Sequence, residues 1–371
     1  MRVRNIDKTG MKVICVVGAR PNFMKAAPVI EALRKRPRMS VMLVHTGQHY
    51  DRQMSELFFE ELGMPKPDLD LQVGSGSHGE QTGLIMLRIE PILEQERPGL
   101  VIVFGDVNST VAAALCAAKL GISVAHVEAG LRSFDRTMPE ELNRIVTDHL
   151  SDYLFTTEPS ARKNLLREGI SEERIFFVGN VMVDTLVKHL ERARAYRFRE
   201  KLGLKSRPYG LLTLHRPSNV DNDDTLAEVL GAVSQIGQEI PIVFPCHPRT
   251  RQQLGRREFA CFHRGLLVVE PLGYLEFLSL MTDARLVLTD SGGIQEETTV
   301  LGIPCITLRE NTERPITVEM GTNTITGTDP TKIVAAATHA LENQSTQASP
   351  RVPPLWDGHT ADRILDVLLE N

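Results

Sequence analysis

Polar residues suited to binding and catalysis directly follow seven apolar runs of the sequence. Histidine, arginine and glycine can hold a phosphate, and aspartate and glutamate can move a proton. The seven segments are Gly18-Ala19-Arg20-Pro21, Thr46-Gly47-Gln48-His49, Gly105-Asp106, Glu128-Ala129-Gly130, His215-Arg216-Pro217, His247-Pro248-Arg249 and Asp290-Ser291-Gly292-Gly293. Ligands of open parallel sheets bind beyond the carboxyl ends of the strands. If each apolar run is a strand, these segments predict one active site.

The segment from Asp290 to Glu297 has the composition of an anion site. Gly292 and Gly293 let the backbone approach a ligand, and the N–H groups at the start of a helix favour a phosphate. Glu297, about one turn further on, could accept hydrogen bonds from a ribose hydroxyl pair. The alternative is a tight turn in which Ser291 or Asp290 only caps the helix.

Three further cations are candidate phosphate ligands. Arg20 and Lys25 surround the first predicted strand–helix turn, and Arg314 lies in Thr312-Glu313-Arg314-Pro315. Each has an ordinary alternative, because a lysine on a helix face is usually solvated and an isolated arginine usually forms a surface salt bridge.

Two acidic segments could carry proton transfer. His126 and Glu128 lie at i and i+2 near the end of a predicted strand, which would place them on one face. A carboxylate there could serve proton transfer, or it could pair with Arg132. Further along, a proline at a predicted helix start precedes Glu140, and Arg144 follows at i+4. That spacing suits either a positioned acid with its partner or a surface salt bridge.

One motif is rejected as a nucleotide site. Gly74-Ser75-Gly76-Ser77-His78-Gly79 has the G-x-G-x-x-G spacing and precedes a helical run. That fingerprint needs a buried apolar strand directly before it, whereas the lead-in Pro67–Gln72 is alternating and acidic. We therefore expect no nicotinamide cofactor. We also expect no metal, since no Cys/His cluster has metal-binding spacing and Asp106 has no second aspartate beside it.

A scaffold of parallel strands must position these residues. Short β-branched runs alternate with segments whose apolar residues recur at helical spacing, which is typical of parallel sheets covered on both faces. The predicted strands are Val13–Val17, Val41–His45, Val101–Phe104, Val124–Val127, Tyr153–Phe155, Ile175–Val178, Gly210–Leu214, Ile242–Phe244, Leu266–Val269, Leu286–Thr289 and Cys305–Leu308.

The length of 371 residues favours two domains. The charge-dense stretch Val187–Arg207 interrupts the alternation. We predict an α/β protein of two Rossmann-like doubly wound domains with a cleft between them. Residues 1–184 carry the acids, residues 185–358 carry the phosphate segment, and a final helix over 359–371 packs back on the first domain.

Composition excludes several classes of function. A net charge of −5 and a pI near 6.2 argue against nucleic-acid or anionic-membrane partners. The polar stretch Met1–Gly10 lacks a signal-peptide core, and no apolar run reaches the length of a membrane span. Five scattered cysteines suit a reducing compartment. We expect a cytoplasmic protein.

From about Lys12 to the C-terminal helix, the chain resembles the bacterial non-hydrolysing UDP-N-acetylglucosamine 2-epimerases. The stretches that carry the resemblance are Gly18-Ala19-Arg20-Pro21, Gly105-Asp106, His126-Val127-Glu128-Ala129-Gly130-Leu131-Arg132, Pro139-Glu140-Glu141, Asn143-Arg144, Thr289-Asp290-Ser291-Gly292-Gly293-Ile294-Gln295-Glu296-Glu297 and Thr312-Glu313-Arg314-Pro315. The resemblance implies two glycosyltransferase-B-like domains, a homodimer and a UDP-sugar substrate, with no metal or cofactor. It also implies a role in supplying cell-surface polysaccharide precursors.

The resemblance further implies a reaction and its residues. Similar enzymes eliminate UDP to leave a 2-acetamidoglucal, then re-add UDP after protonation of the opposite face. The implied catalytic residues are Asp106, Glu128, Glu140 and His215, and the implied UDP ligands are Arg20, His215, Ser291, Gly292, Gly293, Glu297 and Arg314. Our substrate-binding candidates also include Lys25, Arg144 and His247.

Three segments depart from the commonest family pattern. They are Ala19-Arg20-Pro21-Asn22, Gln48-His49-Tyr50-Asp51 and His215-Arg216-Pro217-Ser218. Some of these positions resemble those that contact a second, activating UDP-sugar, so allosteric activation does not follow from the resemblance. Alternative functions are epimerisation of another UDP-2-acetamido sugar and glycosyl transfer on the same fold. In animals the hydrolysing epimerase is usually fused to a sugar kinase domain, for which 371 residues leave no room. A non-enzymatic nucleotide-sugar binder would not need the acids.

Overall fold

The computed structural model describes residues 10–48, 59–246, 248–254, 265–343 and 352–370. Its strands are β1 Met11–Val17, β2 Met39–His45, β3 Leu69–Asp70, β4 Leu100–Phe104, β5 Ser123–Ala129, β6 Tyr153–Thr156, β7 Ile175–Phe177, β8 Gly210–Thr213, β9 Ile242–Pro245, β10 Leu266–Val269, β11 Leu286–Thr289, β12 Cys305–Thr307 and β13 Asn323–Ile325. Its helices are α1 Arg20–Arg34, α2 His78–Glu96, α3 Asn108–Lys119, α4 Pro139–Leu150, α5 Pro159–Arg167, α6 Val181–Tyr196, α7 Phe198–Lys201, α8 Pro217–Val220, α9 Asp223–Ile236, α10 Pro248–Leu254, α11 Tyr274–Thr282, α12 Gly292–Leu301, α13 Ile316–Glu319, α14 Pro330–Glu342 and α15 Thr360–Glu370.

These elements form two compact units. Unit 1 contains the described residues up to Lys188 and from Pro354 onward, and unit 2 runs from His189 to Pro353. The boundary falls inside α6. Each unit has a parallel sheet with helices between successive strands, so the predicted α/β fold class is confirmed. Every predicted strand is present, with ends within two residues of the expected ones.

The described residues of unit 1 form a seven-stranded parallel sheet of order β3-β2-β1-β4-β5-β6-β7. Its central strands are continuous apolar runs because helices cover both faces, and all five residues of β4 are buried. One face packs Ile14 and Val101 against Ile89 and Leu93 of α2. Alanines in α3 pack in the same cluster. The carboxyl ends of β1, β4 and β5 therefore lie side by side.

The C-terminal segment closes unit 1. Helix α15 packs against α1. The carboxylate of Asp184 in α6 accepts the backbone N–H groups of Thr360 and Ala361 at 3.1 and 2.7 Å, which satisfies free donors at the start of α15. The Trp356 indole donates to the carbonyl of Thr157 at 2.9 Å. Residues distant in sequence thus complete one core.

Unit 2 has, in its described part, a six-stranded parallel sheet of order β10-β9-β8-β11-β12-β13. Its core joins Leu212, Phe244 and Leu288 of the sheet to Val229 and Ile333 of the flanking helices. The register pairs Thr289 with Thr213 and with Thr307, so the central strands end together. The loops after β8 and β11 are therefore neighbours.

Two short edge strands, β3 and β13, were not expected from the sequence. Strand β3 has only Leu69 and Asp70, both exposed, and it lies in the acidic lead-in to the glycine motif at Gly74. Strand β13 has three residues at the edge of the second sheet. Every helix in the described ranges is too short or too polar to cross a bilayer.

Candidate active site

Asp106 lies directly after β4 and is held from α4. Gly105 turns the chain with a φ of +62°, a value that favours glycine. The carboxylate of Asp106 pairs with the guanidinium of Arg144, and the amide of Asn143 donates to the backbone carbonyl of Asp106 at 2.8 Å. Arg144 also donates to Glu141 at 2.7 Å. One helix therefore fixes both the backbone and the carboxylate of Asp106.

The alternative of a surface salt bridge at Arg144 is wrong. Arg144 is 2% exposed because α4 turns it inward onto Glu141 and Asp106. Burial alone would raise the pKa of Glu141, but the backbone N–H of Ser133 and the Arg144 guanidinium hold that pKa below its ordinary value. A fixed negative charge thus anchors Arg144. Glu140 is partly exposed in the first turn of the same helix.

Glu128 is held by Lys25 at the end of β5. The Lys25 ammonium lies 2.7 Å from the Glu128 carboxylate, and both side chains are buried. The pairing of β5 with β6 shifts register between Val127 and Ala129, and Glu128 has a φ of +75°. A Cβ added to Gly105 would lie 2.7 Å from the Lys25 ammonium. Lys25 therefore contacts Glu128 and also lies close to Gly105, the residue before Asp106.

The expectation that His126 and Glu128 share one strand face is wrong. The bulge at Glu128 breaks the alternation of side chains. The His126 ring contacts Asp148 of α4, whereas Glu128 contacts α1. The alternative pairing of Glu128 with Arg132 is also wrong, because Arg132 pairs with Asp148 and Glu168.

The start of α12 forms the candidate phosphate site of unit 2. Within the described part of the chain the Ser291 side chain makes no capping hydrogen bond. The buried Asp290 carboxylate instead accepts the backbone N–H groups of His215 and Arg216 at 3.0 and 2.9 Å, and the amide of Asn219 at 3.2 Å. The capping alternative is therefore wrong. Among the described residues, the Ser291 side chain therefore leaves the positive end of the helix uncapped.

Arg314 lies against this helix start. A Cβ on Gly292 would lie 2.5 Å from an Arg314 guanidinium nitrogen, so glycine permits the approach. Glu296 and Glu313 hold the guanidinium at 2.7 and 2.8 Å. Arg314 is 5% exposed, which makes the alternative of a surface salt bridge wrong. Gly293 follows in the first turn of the helix.

Glu297 is a buried carboxyl that accepts the Tyr274 hydroxyl at 3.0 Å. Burial raises the pKa of Glu297 to about 8; the Tyr274 hydrogen bond offsets part of this rise, and the nearby Glu296 charge adds to it. Glu297 is therefore mainly protonated at neutral pH. A neutral carboxyl can donate as well as accept a hydrogen bond.

His215 follows β8 with its ring oriented by Asp290. Its Nδ1 lies 2.7 Å from the carboxylate, and its side chain is 59% exposed. Burial alone would raise the pKa of Asp290, but His215 and the two backbone N–H groups hold it below its ordinary value. With Nδ1 engaged by an ionised carboxylate, Nε2 is directed to other partners.

Some predicted residues fall outside the described structure. His247 and the segment His49–Asp51 lie outside the described ranges, as does the side chain of Arg20, whose backbone begins α1. Among the described residues, no group of three or more histidine, cysteine, aspartate or glutamate side chains has the geometry of a metal site.

Several residues that support the site were missed. Asn22 accepts the N–H of Gly18 at 3.1 Å and donates to the carbonyl of Phe104 at 2.7 Å, which ties the first loop to β4. Its place in a segment that departs from the family pattern was an available signal. Asp148 and Tyr274 left no local signal, because each contacts its partner only through the fold.

Comparisons with known proteins agree with this geometry. The family model described as UDP-N-acetylglucosamine 2-epimerase matches residues 31–369. A UDP-N-acetylglucosamine 2-epimerase of Methanocaldococcus jannaschii is 45% identical over 368 residues, covering 96% of this chain and 99% of that protein. A UDP-2,3-diacetamido-2,3-dideoxy-D-glucuronate 2-epimerase of Pseudomonas aeruginosa is 43% identical over 335 residues, covering 89% of this chain and 92% of that protein.

A solved structure extends the similarity to the fold. The crystal structure of the Methanocaldococcus jannaschii UDP-GlcNAc 2-epimerase in complex with UDP-GlcNAc and UDP matches with a TM-score of 0.88 and 45% identity, covering 97% of this chain and 100% of that chain. The match of the family model over most of the sequence, together with these relatives, establishes membership. This chain belongs to the UDP-N-acetylglucosamine 2-epimerase family, whose members are isomerases.

Proposed function

We propose that this protein reversibly inverts C2 of UDP-N-acetylglucosamine to give UDP-N-acetylmannosamine. The observation that carries the proposal is the pair of acids at the carboxyl edge of the unit 1 sheet, Asp106 held by Arg144 and Glu128 held by Lys25. Inversion of a carbon needs proton removal on one face and proton delivery on the other. The relative whose structure holds UDP-GlcNAc and UDP supports the choice of substrate.

The proposed route is elimination followed by re-addition. The C2 hydrogen is not α to a carbonyl, so an enolate cannot form. A base removes the C2 proton, a C1=C2 double bond forms, and the C1–O bond breaks with its electron pair on the UDP oxygen. The 2-acetamidoglucal then receives a proton at C2 on the opposite face while the UDP oxygen rejoins C1. No water is consumed, so the reaction is non-hydrolysing.

We assign Asp106 and Glu128 to the proton-transfer pair and Glu140 to its support. Each of the pair lies beside a buried cation, which orients the carboxylate. Lys25 and Arg144 thus act through the acids that they hold. A proton can be exchanged at C2 only if both carboxylates keep their places, because proton transfer requires hydrogen-bond distances.

Unit 2 supplies the charge that stabilises the departing diphosphate. The uncapped start of α12 at Ser291 and Gly292 offers backbone N–H groups. Arg314 adds a positive charge that Glu296 and Glu313 hold in place, and Nε2 of His215 adds a donor. Charge placed in advance where it develops in the transition state is a large catalytic term. We assign Gly293, Glu297, His247 and Arg20 to further contacts with UDP.

Proton exchange at C2 tests the proposal. The protein is incubated with UDP-N-acetylglucosamine in heavy water, and proton NMR follows C2 while chromatography follows UDP. We expect deuterium at C2 and a stable mixture of the gluco and manno nucleotide sugars. Free N-acetylmannosamine would indicate hydrolysis instead. Transfer to an added acceptor without C2 exchange would indicate a glycosyltransferase.

The Asp106→Asn variant assigns the residue. It should lose C2 exchange while retaining UDP affinity, because Asp106 belongs to unit 1 and the proposed diphosphate ligands to unit 2. Asp366→Asn, at an exposed position of α15, is the matched control and should retain full exchange. Loss of UDP affinity in the Asp106 variant would contradict its role.

A second candidate substrate is another UDP-2-acetamido sugar. The Pseudomonas aeruginosa relative, named for a UDP-2,3-diacetamido glucuronate, is nearly as similar as the Methanocaldococcus relative. Competition between the two nucleotide sugars in one reaction gives the ratio of their kcat/KM values. We expect UDP-N-acetylglucosamine to be preferred, and a preference for the diacetamido uronate would support the second candidate.

We further propose that the protein acts in the cytoplasm as a homodimer and supplies precursors for cell-surface polysaccharide. The family resemblance and a composition suited to a reducing compartment support this setting. Light scattering during gel filtration measures the assembly, for which twice the 41.3 kDa chain mass is expected. Deletion of the gene should deplete N-acetylmannosamine-derived sugars at the cell surface.

A further inference from the structure

One buried carboxylate, Asp148 of α4, brackets the bulge that carries Glu128. It accepts His126 Nδ1 at 2.7 Å on one side of the bulge and the backbone N–H of Gly130 at 3.1 Å on the other. Arg132 lies 2.7 Å from its second oxygen. The φ of +75° at Glu128 is a strained conformation, which persists only where the surrounding structure holds it. Asp148 holds the chain on both sides of that residue.

The other ring nitrogen of His126 contacts the backbone next to Asp106. His126 Nε2 lies 2.7 Å from the carbonyl oxygen of Gly105, the residue before Asp106. A carbonyl oxygen only accepts, so Nε2 carries a proton. The same ring therefore touches the backbone beside Asp106 and the carboxylate that brackets Glu128.

The contacts define the charge state of this network. Burial alone would raise the pKa of Asp148, but His126 and Arg132 hold it below its ordinary value, so the carboxylate is ionised. The two ring nitrogens of His126 therefore face two acceptors, the Asp148 carboxylate and the Gly105 carbonyl. Arg132 is paired with Asp148 and, through two hydrogen bonds of 2.8 and 2.7 Å, with Glu168. The Arg132 guanidinium thus lies between the buried Asp148 and the partly exposed Glu168.

We propose that His126 and Asp148 are positioning residues that set the places of both proton-transfer acids at once. The His126 ring fixes the Gly105 carbonyl and hence the peptide that carries Asp106, while Asp148 fixes the ends of the Glu128 bulge. Neither residue contacts substrate in this proposal. The proposal rests on the proposed C2 epimerisation. It explains how contacts that start from one helix, α4, keep the two acids at fixed positions relative to each other.

Two histidine variants separate the two links. Asparagine places its amide nitrogen near the Nδ1 position, so His126→Asn keeps a donor for Asp148 but loses the donor to Gly105. Glutamine places its amide nitrogen near the Nε2 position, so His126→Gln keeps the donor to Gly105. We expect kcat of His126→Asn to fall about 100-fold with KM within about threefold of wild type, because small displacements of reacting groups cost this much. His126→Gln should lose less than about tenfold.

Two further variants complete the test. Asp148→Asn keeps the shape of the side chain and removes its charge, and it carries the test if His126→Asn does not fold; its kcat should fall at least about tenfold. Glu168→Gln is the control. Glu168 is partly exposed and contacts Arg132, but it contacts neither His126 nor Asp148. It should retain kcat within about twofold. Rates are expressed per folded protein, measured by the protection of β4 and β5 amides of unit 1 from hydrogen exchange.

The outcomes are distinguishable. Equal losses in the two His126 variants would overturn the link through Gly105, and unchanged kcat in both His126→Asn and Asp148→Asn would overturn the proposal as a whole. A loss of UDP affinity with unchanged kcat would also overturn it. If the wild-type protein exchanges no proton at C2, the proposed function itself is wrong and this inference falls with it.

Discussion

Replacing Glu297 by glutamine should remove a pH-dependent loss of stability from unit 2. Glu297 is buried beside Tyr274 and Glu296, and its pKa is raised from 4.5 to about 8. Glutamine has the shape of the protonated carboxyl and its side-chain oxygen can still accept the Tyr274 hydroxyl. The substitution therefore removes the titration with little change in packing.

The raised pKa sets the sign and size of the effect. The folded protein keeps a proton on Glu297 that the unfolded chain releases above about pH 4.5, so this stabilisation is complete below pH 4.5 and is lost as pH rises to 8. Between pH 6 and pH 8, the free energy of unfolding of the wild type should fall by about 2 kcal/mol more than that of the variant. Other groups titrate alike in both proteins and cancel.

Amide hydrogen exchange in β11 and β12 measures this difference. After correction for the pH dependence of the chemical exchange rate, it gives the free energy of opening in unit 2. Glu239→Gln, exposed in the same unit, is the matched control and should follow the wild type. Equal losses of stability in wild type and the Glu297 variant between pH 6 and pH 8 would refute the reasoning.

Three further substitutions test other contacts. Gly292→Ala should weaken UDP binding at least about tenfold in calorimetry, since its Cβ would lie 2.5 Å from Arg314; unchanged affinity would contradict the phosphate site. Gly105→Ala should lower the free energy of unfolding of unit 1 by about 1–3 kcal/mol in thermal unfolding, because Gly105 has a φ of +62°. The same variant should suppress C2 exchange, because the new Cβ would collide with Lys25. Trp356→Phe should lower the free energy of unfolding by about 1–3 kcal/mol, because the indole N–H hydrogen bond to a buried carbonyl is lost; a melting temperature equal to wild type would count against that contact.

The strands were predictable because buried parallel strands leave continuous apolar runs in the sequence. Strands β3 and β13 were not, since two exposed residues, Leu69 and Asp70, and the three of β13 carry no recognisable pattern. Their pairing is decided by the edges of sheets that other strands have already formed.

The sequence indicated candidate residues for the site but not their contacts. Polar residues after apolar strands could be found by position, which is how Asp106 and Ser291 became candidates. The partners of these residues could not, because spacing along α4 predicts neighbours on the helix and not which side is buried. The spacing therefore left open whether Arg144 forms a surface salt bridge or holds an acid, and the bulge at Glu128 could not be anticipated from alternation.

The discontinuity of unit 1 has a consequence for biosynthesis. Helix α15 packs on α1. Asp184 accepts a hydrogen bond from Thr360, and Thr157 accepts one from Trp356, so both contacts need the C-terminal segment. A ribosome that has finished β7 has made all seven strands described for the first sheet. All of unit 2 must nevertheless be translated before the segment that covers α1 emerges. The face of α1 that α15 will cover therefore stays exposed while unit 2 can already fold, which makes this interval the one in which a chaperone would protect the chain.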